Sequence, residues 1–191
     1  MNRISKDFYK QDALVVAPNL LGKILVRKLD NGDTIKSVIT ETEAYVGEID
    51  SACHARFGKT NRTKILYEEG GCTYIYLCYG IHNLLNIVTG KKDEPEAVLI
   101  RGVEGYDGPG KLTKAMQIDK TLNGADLTTS DKIWIEDSNY KPSFVKTKRI
   151  GIDYASEPYK SIEWRFVVIE WLRYNFMLKW YYDMEDLFWL N

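Results

Sequence analysis

Cysteine and histidine are scarce in this chain: three cysteines (Cys53, Cys72, Cys78) and two histidines (His54, His82) among 191 residues. An odd number of thiols, with no secretory leader in MNRISKDFYKQDALVV, speaks against a disulfide framework and for reduced thiols in the cytoplasm. The spacings Cys53-His54, Cys72-x5-Cys78 and Cys78-x3-His82 match no structural zinc knuckle. The H-x-E…P-C-x-x-C pattern of zinc deaminases is missing too, so structural thiols, hydrogen-bonding histidines and no metal are expected. No run of about 18 uncharged apolar residues occurs, which leaves no candidate transmembrane helix and no membrane partner. An excess of one charge sign is also lacking. Against 26 Lys+Arg stand 27 Asp+Glu, a net charge of −1, so a nucleic-acid site must rest on a local basic patch.

What is present is an ordinary globular mix, 45% hydrophobic and 28% charged, enough for one real core. Aromatics are in excess at 13%, with 13 tyrosines. Residues 10–21 carry Ala13, Leu14, Val16, Ala17, Leu20 and Leu21 on one side of a short helix, with Pro18 as a break. The runs 23–29 and 34–45 flank Asp30-Asn31-Gly32-Asp33, and Asn-Gly between two β-rich runs predicts a hairpin. Further strands are predicted at 73–79, 84–89, 97–103, 132–136, 149–153 and 164–169, and a helix at 109–118 with Pro109 near its first position. The outcome is an α+β domain with a curved, mostly antiparallel sheet and flanking helices. It is expected to span 1–169. Residues 170–191, EWLRYNFMLKWYYDMEDLFWLN, differ in composition and form a divergent aromatic tail holding three of the five tryptophans.

Alternation along 34–45 puts Tyr45, Glu43, Glu41, Ile39 and Ser37 on one face. Two carboxylates and a phenol there fit either a wetted edge strand or a carboxylate beside an aromatic platform, suited to base catalysis on a planar substrate. Tyr74 and Tyr76 share a face of the next strand, and Tyr79-Gly80 approaches a turn. Cross-strand packing explains such tyrosines, and so does an aromatic offered at a hairpin tip to wedge between stacked bases. Basic residues cluster at Arg56, Lys59, Arg62 and Lys64, beside Gly108-Pro109-Gly110-Lys111, and at Lys146, Lys148 and Arg149. The GPGK segment opens a helix where backbone amides favour phosphate, but it is not a Walker A motif.

In order and spacing, ETEAYVGEIDSACHARFGKTNRT (41–63), YIYLCYGIHNLLNIV (74–88), AVLIRGVE (97–104), GPGKLTKAMQI (108–118), NGADL (123–127), RIGID (149–153) and WRF (164–166) resemble the alkyladenine (3-methyladenine) DNA glycosylase family. The resemblance runs from about residue 7 to about 167. It implies a single α/β domain around an antiparallel sheet, with no metal or cofactor. It implies that Glu43 is the general base on the attacking water and that Arg101 helps hold that water. By the same resemblance Tyr45, His54 and Tyr76 enclose a flipped base, Asn86 sits at the pocket edge and disfavours the amino group of guanine, and Tyr79, with Ile81 beside it, wedges into the gap. Arg62, Gly110 and Lys111 fall to the phosphates. The partner implied is double-stranded DNA carrying alkylated or deaminated purines, handled by a monomeric, monofunctional enzyme of base-excision repair that leaves an abasic site. The chain departs from the family pattern after WRF, and it has glycine at Gly108 or Gly110 where some relatives place serine.

Overall fold

The computed structural model describes residues 2–170, so all but Glu170 of the aromatic tail lies outside the described residues. Two short helices, α1 (Lys6–Tyr9) and α2 (Ala13–Leu20), precede the hairpin of β1 (Ile24–Lys28) and β2 (Thr34–Val46). There follow β3 (Thr73–Cys78), β4 (His82–Thr89), β5 (Glu96–Val103), the two-residue β6 (Tyr106–Asp107), α3 (Pro109–Ala115), β7 (Ile133–Glu136), β8 (Phe144–Thr147) and β9 (Arg165–Val168). Every strand pairing is antiparallel, and the main path through the sheet is β3-β4-β5-β2-β1-β7. The expected α+β class and curved antiparallel sheet are therefore observed.

β2 organises the sheet. Its first five residues pair with β1, and residues from Ile39 on pair with β5. β9 takes the free edge beside Glu41, Thr42 and Glu43, so this stretch is an interior strand and not a wetted edge. One face of the sheet packs on the helices: Ala44, Leu85, Ile87, Val98 and Ile100 share a core with Val16, Ala17 and Leu20 of α2, Leu112 of α3 and Met116 just after it. By the pleat, the alternate residues face the other way. One row of that register runs Tyr74, Asn86, Leu99, Glu43, Arg165 across β3, β4, β5, β2 and β9.

The hairpin expected at Asn31-Gly32 is present, its connection a five-residue loop in which Lys28 pairs with Thr34, only Gly32 has positive φ, and the Asn31 side chain accepts from the Asp33 amide at 3.1 Å. The following elements differ from expectation. Ile39 joins the core with Ala44 rather than the Glu43 face, because pairing with β5 is irregular between Ile39 and Thr42. Pro18 does not end its helix, which runs on to Leu20. The helix at 109–118 stops at Ala115, followed by Gln117 at φ 51°. Residues 149–153 form a loop and no strand, because Arg149 is drawn inward to Asp50 and Gly151 takes φ 76°. The short strands β6 and β8 escaped the sequence reading; β8 (FVKT) is half-exposed and carries no clean apolar pattern.

Candidate active site

The other face of the sheet opens into a cavity of about 830 Å³, the size of a small-molecule site, with the start of α3 contributing to its lining. Tyr45, His54, Tyr76, Asn86 and Arg101 line it together, so the structure gathers these predicted residues from β2, β3, β4, β5 and the 3-10 turn His54–Phe57. Arg62, Tyr79, Gly110 and Lys111 also reach its wall. Ile81 is exposed at the adjoining turn and does not line the cavity.

The aromatic wall is built edge to face. His54 Nδ1 lies 2.9 Å from the Tyr74 hydroxyl, and its ring centroid is 4.5 Å from that of Tyr76 at 62°. Burial, with Arg62 and Arg56 nearby, lowers the His54 pKa to about 4, so the ring is neutral near pH 7. The guanidinium carbon of Arg62 sits 5.3 Å over the Tyr76 ring. Asn86 donates its amide to Tyr74 O at 3.1 Å and Leu84 O at 3.4 Å, which fixes the side chain in the floor. Burial pushes the Cys53 thiol up to about 12, so this neighbour of His54 stays protonated and is not a nucleophile.

Glu43 lies directly under this wall. It is 0% exposed and does not itself line the cavity. Its Oε1 accepts the Ile150 amide at 2.8 Å, and its Oε2 accepts the Tyr45 hydroxyl at 2.9 Å. Arg101 Nε stands 3.5 Å from Glu43 Oε1 and 2.8 Å from Glu41 Oε1. Glu41 also takes Arg165 Nε from β9, so the second carboxylate is engaged by two arginines while Glu43 shares only one. Burial raises the Glu43 pKa above the usual carboxylate range, against the opposing pull of Arg101, the Ile150 amide and Tyr45. A buried carboxylate with fixed hydrogen bonds, a neighbouring arginine and a raised pKa is a group able to accept a proton.

β3 and β4 meet in a tight turn closed by the Ile81 amide on Cys78 O at 3.1 Å. Tyr79 (φ 50°) and Gly80 (φ 75°) both lie in the left-handed region, a rare conformation for tyrosine. Tyr79 is 89% exposed. Gly110 is confined for a packing reason: a Cβ there would stand 2.9 Å from the His82 ring. Lys111 is paired with Asp107 at 2.9 Å, and Lys59 with Asp93 at 3.4 Å. Arg149, counted from sequence with the basic clusters, is buried against Asp50 and is not free for an anionic partner. Residues that sequence reasoning left out are Asp50, the Ile150 amide and Tyr154, which lines the cavity with Arg56 4.9 Å over its ring.

Among the described residues no group of three or more His, Cys, Asp and Glu side chains could hold a metal ion, and no helix is long and apolar enough to cross a membrane.

The family model described as Methylpurine-DNA glycosylase (MPG) matches residues 7–107 and 104–170. A Clostridium novyi protein named "Putative 3-methyladenine DNA glycosylase" is 45% identical, the alignment covering 88% of this chain and 96% of that protein. Proteins of the same name from Clostridium perfringens (87% and 95% covered) and Borreliella burgdorferi (84% and 93%) are each 43% identical. The match spans both the sheet and the cavity, and the chain belongs to the methylpurine-DNA glycosylase family.

Proposed function

We propose that this chain is a DNA repair glycosylase that hydrolyses the N-glycosidic bond of alkylated purines, 3-methyladenine among them, in double-stranded DNA. The observation that carries the reading is the buried Glu43, hydrogen-bonded to Tyr45 and Ile150, beneath an aromatic cavity wide enough for a purine. A base inside a duplex stack cannot reach such a cavity, so it must be extruded, at a cost of a few kcal/mol. Tyr79, presented at a turn, is suited to refill the stack, with Ile81 beside it. Tyr45, His54 and Tyr76 would enclose the flipped base, and a cationic alkylpurine gains from electron-rich rings. Asn86 closes the floor, where an extra amino group meets a fixed side chain. Arg62, Gly110 and Lys111 would lie along the phosphates.

In the chemical step the glycosidic electron pair leaves with the base, which neutralises an alkylated purine. The sugar develops oxocarbenium character, and water adds at C1′ while passing its proton to Glu43. Arg101 would steady that water and the carboxylate. Neutral deaminated purines would need protonation as well. No lysine occupies a nucleophile position, Lys111 on the cavity wall being paired with Asp107, so the product is an abasic site with no lyase step. A monomer acting in the cytoplasm, with the glycosylase domain ending near residue 169, completes the proposal.

Glu43 has no exposed surface, so a neighbouring group must yield before water reaches it. That observation favours a second reading, a protein that binds lesions without cleaving them. Single-turnover excision from duplexes carrying 3-methyladenine, 7-methylguanine, hypoxanthine or ethenoadenine separates the two: no release from any of the four leaves only the binding reading.

A further inference from the structure

The loop after β8 ties together three parts of the site through one side chain. Arg149 and Asp50 are both fully buried. Arg149 Nη2 donates to Asp50 Oδ1 at 2.9 Å and to Tyr159 O at 3.1 Å, while Nη1 donates to Asp50 Oδ2 and to Ala44 O at 2.9 Å. Asp50 in turn accepts the amides of Val46 at 3.2 Å and Ala52 at 2.9 Å. Ala44 and Val46 flank Tyr45, so the pair grips the strand on both sides of that residue. The guanidinium carbon also lies 4.7 Å from the Tyr45 ring and 5.1 Å from the Trp164 ring. The next residue along is Ile150, whose amide donates to Glu43.

We infer that the Arg149–Asp50 pair is the positioning unit of this site, seating the Tyr45 ring and holding the Ile150 amide on Glu43. The inference rests on the reading of Glu43 as general base. Arg149 does not line the cavity, so it is a positioning residue and not a catalytic one. A buried ion pair is weak as a source of stability, since apolar replacements of like volume are often neutral or better. Its use here lies in geometry: a planar fork spans Ala44 O, both Asp50 oxygens and Tyr159 O at once. A lysine ammonium, a single point of charge, cannot make that set. Asp50 also balances the cation behind Tyr45, leaving that ring fit to receive a cationic base on the cavity side.

The groups facing Glu43 are Glu41 and Tyr45 from β2, Arg101 from β5 and Arg149 from the loop, with Arg165 of β9 reaching it through Glu41. Releasing the Ile150 amide removes a hydrogen bond to the charged carboxylate and favours its protonated form. Arg149→Lys keeps the charge and loses the fork; Arg149→Met loses both. The experiment measures single-turnover excision of 7-methylguanine from a duplex across pH. Affinity is taken on a duplex whose lesion carries a 2′-fluoro sugar that resists hydrolysis. Both variants are expected to lose at least about tenfold in rate with affinity within about threefold, and to move the acidic limb of the profile up by about one pH unit. A limb that stays put in a variant that still melts cooperatively overturns the inference, because a structural role alone lowers yield and stability without moving it. A wild-type rate in Arg149→Lys overturns it too. If Arg149→Met fails to fold, Arg149→Lys decides; if Arg149→Lys also fails to fold, the pair serves the fold alone and the inference is overturned. Glu43→Gln run alongside keeps the questions apart: excision surviving in that variant sinks the general-base reading, whatever the Arg149 variants do.

Discussion

The Tyr45 hydroxyl donates to Glu43 Oε2 at 2.9 Å from two residues along the same strand. The phenol and the carboxylate are therefore one unit, and neither turns without breaking the bond to the other. Tyr45→Phe keeps the ring and removes the tie. It is expected to hold lesion DNA within about threefold of wild type and to slow excision about tenfold, the worth of one hydrogen bond to a charged group. An unchanged single-turnover rate would remove the hydroxyl from the mechanism.

Glu43→Gln is expected to bind lesion duplex and to lose excision by about three orders of magnitude or more, since the amide cannot take the proton from water. Retention of more than about a tenth of the wild-type rate, about 1.4 kcal/mol, defeats the assignment. Stability should move the other way. Burial raises the folded pKa of Glu43, so its contribution to stability is present in the protonated form at low pH and is lost as pH rises through the folded value. Thermal melts should show Glu43→Gln above wild type at pH 7, with the gap closing toward pH 4.

His54 gives the opposite pH dependence. Its folded pKa of about 4 lies below the unfolded value of 6.5, so the unfolded chain binds more protons in that window. Stability falls as pH drops from 6.5 to 4, by at most about 3 kcal/mol from this one group. His54→Gln should flatten the curve of denaturation midpoint against pH between those limits, and an unchanged slope would mean that His54 is solvated.

Tyr79→Ala should weaken binding to lesion duplex at least about tenfold and leave the melting temperature within about 2 °C, because the side chain is exposed at a turn and fills no core. A large drop in melting temperature with unchanged affinity would make Tyr79 a structural residue.

Binding should weaken steeply with salt despite the net charge of −1. Arg62, Lys64, Lys146 and Lys148 are exposed, whereas Lys59 and Lys111 must exchange Asp93 and Asp107 for phosphate. Arg62→Ala should lower the slope of log affinity against log salt by about 1. A flat response between about 50 and 200 mM would show that these residues do not share a DNA-facing surface.

The sheet was legible where local chemistry settles it. Asn31-Gly32 marks a chain reversal, and the β-branched runs of β2, β4 and β5 alternate cleanly enough to be read as strands. The cavity residues were legible through family resemblance more than through spacing, since nothing local tells Glu43 from Glu41. What separates them is Arg165, 124 residues along the chain, which engages Glu41 alone. The RIGID segment misled for the same reason. Ile150 and Ile152 alternate like a strand, but Arg149 answers to Asp50 at a separation of 99 residues, and no local pattern announces a pair that distant.

Under the proposed wedge role, the left-handed turn at Tyr79-Gly80 bears on how damage would be found. Because the backbone at the tip is already fixed in its rare conformation, the ordering cost is incurred once, during folding, and not at each encounter with DNA. A tip that arrives preshaped can test one base step after another without a closing motion of its own. Search speed would then be governed by how readily each base pair opens, so weakly stacked or mispaired lesions would be caught sooner than well-paired ones of equal chemical reactivity.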